Sequence, residues 1–457
     1  MKNLNNEDLL VANAKHIHMI GIGGSGMCPL AEILHSKGYT LTGSDNNESD
    51  PLSRVKALGV EVSMGHKAEN VFGADLVVYS AAISKDNPEI VAAKLLGIPT
   101  MERSHLLGAL TRKYNNVIGV SGTHGKTTTS SIITQIFVMA NMDPTAVIGG
   151  KLPLINANGI AGNSEHMICE SCEFVDTFLC LSPDIAVLLN IDNDHLDYFG
   201  TMERLCESFN KFVSMAHTAV INGDDPLCRE IADNFSGKCY TFGKNDSNDY
   251  VAKNITPNNV GMTFDIYKNG EFAISVELGI PGEHNVYNAL AAYVSADICG
   301  VNPSDSANAI AAFSGAGRRF EKLGSYKGIA VADDYAHHPT ELVATLTAAK
   351  NMGYNNVIAV FQPFTFSRTE LLKDDFIKAL SIADKVVLTP IMGSREINKT
   401  GISSNDLAKG LDCAYVVDDF EGAVETLLKI AKEGDLVITM GGGDIYKAAR
   451  MYIERLK

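Results

Sequence analysis

The segment Gly119-Val120-Ser121-Gly122-Thr123-His124-Gly125-Lys126-Thr127-Thr128 has the make-up of a phosphate-binding loop. Backbone N–H groups flanked by glycines can cradle phosphate oxygens, a lysine in the position of Lys126 reaches the β and γ oxygens, and the Thr127 hydroxyl is a hard oxygen ligand for Mg²⁺. The strict pattern asks for glycine six positions before Lys126, where this chain has Val120. Packing gives no reason for a lysine among glycines and hydroxyl side chains. The chemistry such a group supports is the binding of a nucleoside triphosphate.

A second loop, Gly21-Ile22-Gly23-Gly24-Ser25-Gly26, lies between an apolar run and a helical pattern. Its glycines permit a tight turn and close approach of backbone to a pyrophosphate at a helix N-terminus, without saying which nucleotide. Asp45 follows Gly26 by 19 residues, where an acidic side chain would hold ribose hydroxyls, so this loop alone would fit NAD. An NAD-dependent oxidoreductase needs only one such loop. A nucleotide-linked substrate together with ATP would use both. ATP with Mg²⁺ calls for further ligands, and Glu170, Glu173 and His195 are candidates at the carboxyl ends of predicted strands. Asp194 or Asp197 could cap the helix that follows His195.

These groups must be held by a chain of 457 residues, long enough for about three domains. Apolar residues make up 46% and charged residues 20%, an ordinary globular composition that excludes disorder and fibre. The formal charge of −16 repels nucleic-acid backbones and anionic lipid, so no nucleic-acid partner is expected. Apolar runs are strand-sized, so no membrane insertion is expected, and the first ten residues lack the pattern of a secretory signal. A cytoplasmic protein, monomer or weak homodimer, is the expectation. Nine cysteines, with Cys169 and Cys172 in a CxxC, fit reduced thiols better than a disulfide framework or a zinc site.

Periodicity predicts an α/β chain. Strands at 16–20, 39–42, 60–62 and 76–79, with helices at 27–37 and 88–96, form a Rossmann-like unit over residues 1–111. Residues 112–322 form a central P-loop unit with a mixed sheet: strands at 117–120, 185–189 and 219–221, helices at 126–140, 202–216, 285–299 and 303–312, and a hairpin turning at Lys268-Asn269-Gly270. Residues 323–457 form a second Rossmann-like unit with strands at 329–332, 357–361, 386–388, 415–417 and 436–439.

Several strings carry a resemblance. Residues 23–27, 122–128, Glu170, 193–197, His284-Asn285-Val286-Tyr287-Asn288, Gly317-Arg318-Arg319-Phe320, Asp333-Asp334-Tyr335-Ala336-His337-His338-Pro339-Thr340-Glu341 and Gly443-Asp444-Ile445 together resemble the Mur ligase family. The resemblance implies an ATP-dependent amide ligase of peptidoglycan synthesis that joins L-alanine to the lactyl carboxylate of UDP-N-acetylmuramate through an acyl phosphate. A ligase reattaching a recycled peptide to the same sugar is the alternative within the family.

Carried over, the resemblance gives catalytic roles to Lys126, Glu170, His195 and Arg319, and Mg²⁺ to Thr127, Glu170 and His195. ATP falls to Gly122, Thr123, His124, Gly125, Lys126, Thr127, Thr128, Asn285, Asn288, Arg319 and Asp334. The UDP-sugar falls to Gly23, Gly24, Ser25, Gly26, Met27 and Asp45, which replaces the NAD reading. The amino acid falls to Tyr335, His337 and Arg368, whose planar fork suits a carboxylate. Two departures stand out: the family's usual His is Phe364, and of its acidic cluster only Glu170 and Glu173 remain.

Overall fold

The computed structural model describes residues 5–258, 260–394 and 396–457, apart from the side chain of Asp197. They gather into two compact units, one built on the chain up to residue 254 with 264–276 and 287–313, the other on 255–263, 277–286 and 314–457. The described residues form three sheets.

The first sheet is parallel, with its strands in chain order 3-2-1-4-5: Glu61–Met64, Thr40–Asp45, His16–Ile20, Leu76–Tyr79 and Thr100–Glu102. Strand order reverses beside His16–Ile20, and in such sheets ligands collect in the crevice at that point. The Gly21–Gly26 loop leaves this strand, and Met27 caps the helix Cys28–Ser36.

The second sheet has ten strands. Asn116–Ser121 lies in its interior, parallel to Ile185–Leu188 on one side and to His166–Glu170 on the other. These strands read as continuous apolar runs because helices cover both faces; Ile185–Leu188 is buried throughout. Thr145–Leu152 pairs antiparallel with Ala157–Ile160, so the sheet is mixed as expected. Asn269 and Gly270 both take positive φ, as a tight hairpin turn between Met262–Lys268 and Glu271–Leu278 requires.

The third sheet places Glu321–Tyr326 antiparallel to Ile329–Asp334, followed by Leu436–Met440, Val357–Phe361, Lys385–Leu388 and Ala414–Val416, all parallel.

The structure adds strands absent from the periodicity reading, among them Thr145–Leu152, Ala157–Ile160, Lys238–Gly243 and Tyr250–Pro257. Gly149-Gly150 interrupts the first of these, and strands partly exposed along their length, such as Tyr250–Pro257, lack the continuous apolar run that marks a strand buried on both faces. One capping expectation is corrected. The helix Leu196–Phe199 begins at His195 in the left-handed region with no side-chain cap, while Asp194 accepts from the His195 N–H at 2.8 Å. The Asp197 side chain lies outside the described residues. The nine cysteines are free thiols.

Candidate active site

Strand Asn116–Ser121 ends in the loop that feeds the helix Lys126–Met139. Gly122 (φ 134°) and Gly125 (φ 87°) take conformations that favour glycine, and any Cβ at Gly125 would run into the Asn288 side chain. Asn288 is thereby placed against the phosphate loop; it also accepts from the Thr129 hydroxyl at 3.3 Å. The segment after strand Ile185–Leu188 clamps the loop from the other side. Asn190 accepts from the His124 N–H at 2.8 Å through its side chain and from the Thr123 N–H at 3.0 Å through its carbonyl. Asp192 pairs with His124 Nε2 at 2.9 Å, and its N–H donates to the Thr123 hydroxyl at 2.9 Å.

Lys126 folds back over the loop. Its ammonium donates to the carbonyls of Gly122 (2.5 Å) and Thr123 (3.0 Å) and to both oxygens of Glu173 (3.1 and 2.8 Å). Burial alone would drive its proton off; the Glu173 carboxylate outweighs that and holds the ammonium above its ordinary pKa. Glu173 is itself buried and stands 4.0 Å from His195 Nε2. It thus lies between Lys126 and His195.

Glu170 ends its strand beside the loop. Its Oε2 accepts from the Thr127 hydroxyl at 2.8 Å and from the Gly149 N–H at 2.9 Å. Thr127 and Glu170 are therefore together, and His195 joins the group through Glu173. The turn that sets Glu173 is held by Asp176, which accepts from the Tyr198 hydroxyl at 2.8 Å and from Ser208, and by Phe178 stacked 4.7 Å from Phe212. Burial, then Glu173, pushes the Cys172 thiol up to about 11, so it remains protonated at neutral pH.

In the Gly21–Gly26 loop, the Gly23 N–H donates to Asp45 Oδ2 at 2.9 Å, so Asp45 fixes the loop. Residues 24–27 wall a cavity of about 340 Å³ whose lining also includes Arg103, Gly149, Glu170 and Cys172.

The second unit holds the remaining candidates. Asp334, at the end of strand Ile329–Asp334, is buried and accepts from the N–H groups of Phe320 and Ala336, both at 2.7 Å. Burial raises its pKa to about 6, against the pull of Arg319 and those N–H groups. Arg319 lies 3.9 Å from Glu341 and 5.1 Å from the Tyr335 ring centre. Arg318, given no role from sequence, bonds Asp333 (2.9 Å) and the carbonyls of Gly441 (2.8 Å) and Gly443 (2.9 Å), with its guanidinium over Tyr335. The His337 ring meets Tyr335 edge-on at 5.2 Å and Phe364 at 6.0 Å. Arg368 sits on the short helix Phe366–Leu371 that follows Phe364. The Asn285 amide donates to the Pro281 carbonyl at 2.7 Å.

Three family models cover most of the chain: the Mur ligase family catalytic domain over residues 16–115, the Mur ligase middle domain over 120–296, and the Mur ligase glutamate ligase domain over 318–443. The chain belongs to the Mur ligase family. The UDP-N-acetylmuramate–L-alanine ligase of Caldanaerobacter subterraneus subsp. tengcongensis is 43% identical over 97% of this chain and 98% of its own. That of Clostridium novyi is 43% identical over 98% and 99%. The crystal structure of the UDP-N-acetylmuramate-alanine ligase of Thermotoga maritima superimposes with a TM-score of 0.83 at 29% identity, covering 97% of this chain and 99% of that one. As a Mur ligase the chain has the three-sheet α/β architecture anticipated from its periodicity. Among the described residues no helix is long and apolar enough to cross a membrane.

Proposed function

We propose that this Mur ligase joins L-alanine to the lactyl carboxylate of UDP-N-acetylmuramate at the expense of ATP, in the synthesis of peptidoglycan. The observation that carries the reading is the 340 Å³ cavity, in which the Gly24–Met27 backbone faces the same space as Glu170, the carboxylate bonded to the P-loop hydroxyl of Thr127. A nucleotide-sugar held by the first loop would present its acid to the phosphates held by the second. The NAD reading leaves Lys126, Glu170 and Glu173 without a task.

A carboxylate resists attack by an amine because its leaving group is poor. Transfer of the γ-phosphoryl group of ATP to a carboxylate oxygen breaks the β–γ bridge, releases ADP and gives an acyl phosphate; attack of the free amine on the acyl carbon then forms the amide and expels phosphate. Lys126 and the loop N–H groups would hold the β and γ phosphates. Their negative charge replaces the carbonyl and carboxylate partners that Lys126 has in this structure.

The residues fit Mg²⁺. A hydroxyl and a carboxylate, both hard oxygens, lie 2.8 Å apart, with a backbone N–H orienting the carboxylate. Thr127, Glu170 and His195 would hold the ion, which when bound offsets charge on the transferring phosphoryl group. In the second unit, Arg319, Asp334 and Asn285 serve ATP, while Tyr335, His337 and Arg368 take the amino acid. Domain limits at 1–111, 112–322 and 323–457, and a cytoplasmic setting, belong to the same proposal.

Phosphate release from ATP and Mg²⁺ with UDP-N-acetylmuramate tests it, with L-alanine, glycine, L-serine and the cell-wall tripeptide in parallel and product masses checked. Release dependent on L-alanine above the others is expected, and lost in Lys126→Ala. Release with the tripeptide alone, or with no amine, overturns the reading.

A further inference from the structure

Arg103 lines the cavity between the first loop and Glu170. Among the described residues its guanidinium takes part in no hydrogen bond or ion pair. Half-buried guanidinium groups are ordinarily matched by acceptors, so this one is poised for an anion from outside the chain. Its location has no other evident reason. Arg103 opens the helix Arg103–Thr111, where a cation opposes the helix dipole, and its neighbours from Leu106 to Thr111 are buried and fix the backbone from which it projects.

Which anion follows from what surrounds it. The side chain lies against the first loop: a Cβ built on Gly26 would fall 3.2 Å from Arg103 Cδ and Nε and 3.3 Å from Cζ. Glu170 contributes a carboxylate to the same lining, which repels a second anion unless a cation intervenes. The cationic part of the cavity is thus at Gly26 and the start of the helix Cys28–Ser36, with the hydroxyls of Ser80 and Ser104 also in the lining.

We propose that Arg103 is a binding residue for the diphosphate of the nucleotide-sugar substrate, its planar fork closing over phosphate oxygens that the glycine loop cradles from the other side. This rests on the nucleotide-sugar reading given above. The absence of a side chain at Gly26 then has a second purpose beyond the turn: it leaves room for the guanidinium.

Calorimetric titration of the full chain with uridine, UDP and UDP-N-acetylmuramate tests the assignment. Arg103→Met is expected to weaken UDP and UDP-N-acetylmuramate alike by about ten- to a hundredfold while leaving uridine unchanged, as loss of a charge-assisted bond to phosphate requires. Gly26→Ala, which places a methyl group against the guanidinium, is expected to move the same two affinities in the same direction. Unchanged UDP binding in Arg103→Met overturns the proposal. So does an equal loss of uridine, which would mark a structural role, or a loss confined to UDP-N-acetylmuramate, which would place the guanidinium on the lactyl carboxylate. Failure of the unaltered protein to bind either nucleotide would instead overturn the nucleotide-sugar reading itself.

Discussion

The Lys126 ammonium and the Glu173 carboxylate lie 2.8 Å apart at the phosphate loop, Glu173 buried and Lys126 largely so. The pair keeps a charged lysine in place where burial alone would neutralise it. Phosphates entering the loop bring the same negative charge, so Glu173 acts on ATP through Lys126 and is a positioning residue.

Glu173→Gln leaves that ammonium buried without its counter-charge, a change that costs on the order of 3 kcal/mol or more in other proteins. The free variant is expected to melt below the unaltered protein, and ADP with Mg²⁺ to raise its melting temperature by more than it raises the parent's, because the ligand restores the missing charge. Thermal melts with and without nucleotide check this. An equal rise in both proteins would mean that Glu173 does not set the charge balance at Lys126.

Much of this arrangement was legible in the sequence, for reasons that differ by residue. Lys126, Thr127 and the loop glycines announce themselves because a phosphate loop is local: the strand, turn and helix that make it are consecutive. Glu170 and His195 could be placed at strand ends but not assigned partners. Which of Glu170 and Glu173 meets Thr127 and which meets Lys126 has no local signal in the sequence, because it is set by the turn after Glu170, where Val175 and Asp176 take positive φ. Arg318 and Arg103 were invisible for another reason. Their acceptors and neighbours are 15 to 125 residues away or belong to a cavity, and no periodicity encodes that.

Gly149 tests the grouping of Thr127 with Glu170. A Cβ there would press on the Glu170 carboxylate and fall 2.6 Å from the Thr127 hydroxyl. Gly149→Ala is therefore expected to displace both oxygens and to raise the Mg²⁺ concentration needed for half-maximal turnover about tenfold or more. Far-ultraviolet circular dichroism should show the fold retained. A magnesium dependence identical to the parent's would separate these two side chains from the metal.

Arg318 joins Asp333, the Gly441 and Gly443 carbonyls and the ring of Tyr335 with one guanidinium. Tyr335 is a candidate for the amino acid, so Arg318 positions that site without belonging to it. Arg318→Met is expected to raise KM for the amino acid several-fold or more with KM for ATP less affected, and Arg318→Lys, which keeps the charge but loses the fork, to recover only part of the loss. Steady-state kinetics with each substrate varied in turn reads the split. An equal change in both KM values would indicate general loosening of the fold.

Glu89, wholly buried in the first unit, gives stability a dependence on pH. Burial alone would raise its pKa, but His18 at 3.8 Å, the Ser44 hydroxyl at 2.6 Å and the Asn70 amide hold the carboxylate down, at about 2. A folded pKa below the unfolded value near 4.3 means that the carboxylate stabilises the fold fully above about pH 5, and that this contribution is lost as the pH falls through 4 towards 2. Linkage puts it on the order of 3 kcal/mol. The unaltered protein should therefore exceed Glu89→Gln in stability by that order at pH 7, with the gap narrowing steadily below about pH 5. Urea unfolding of both proteins across that range measures the gap, and one that stayed constant with pH would show that the carboxylate's charge is not what Ser44, Asn70 and His18 hold in place.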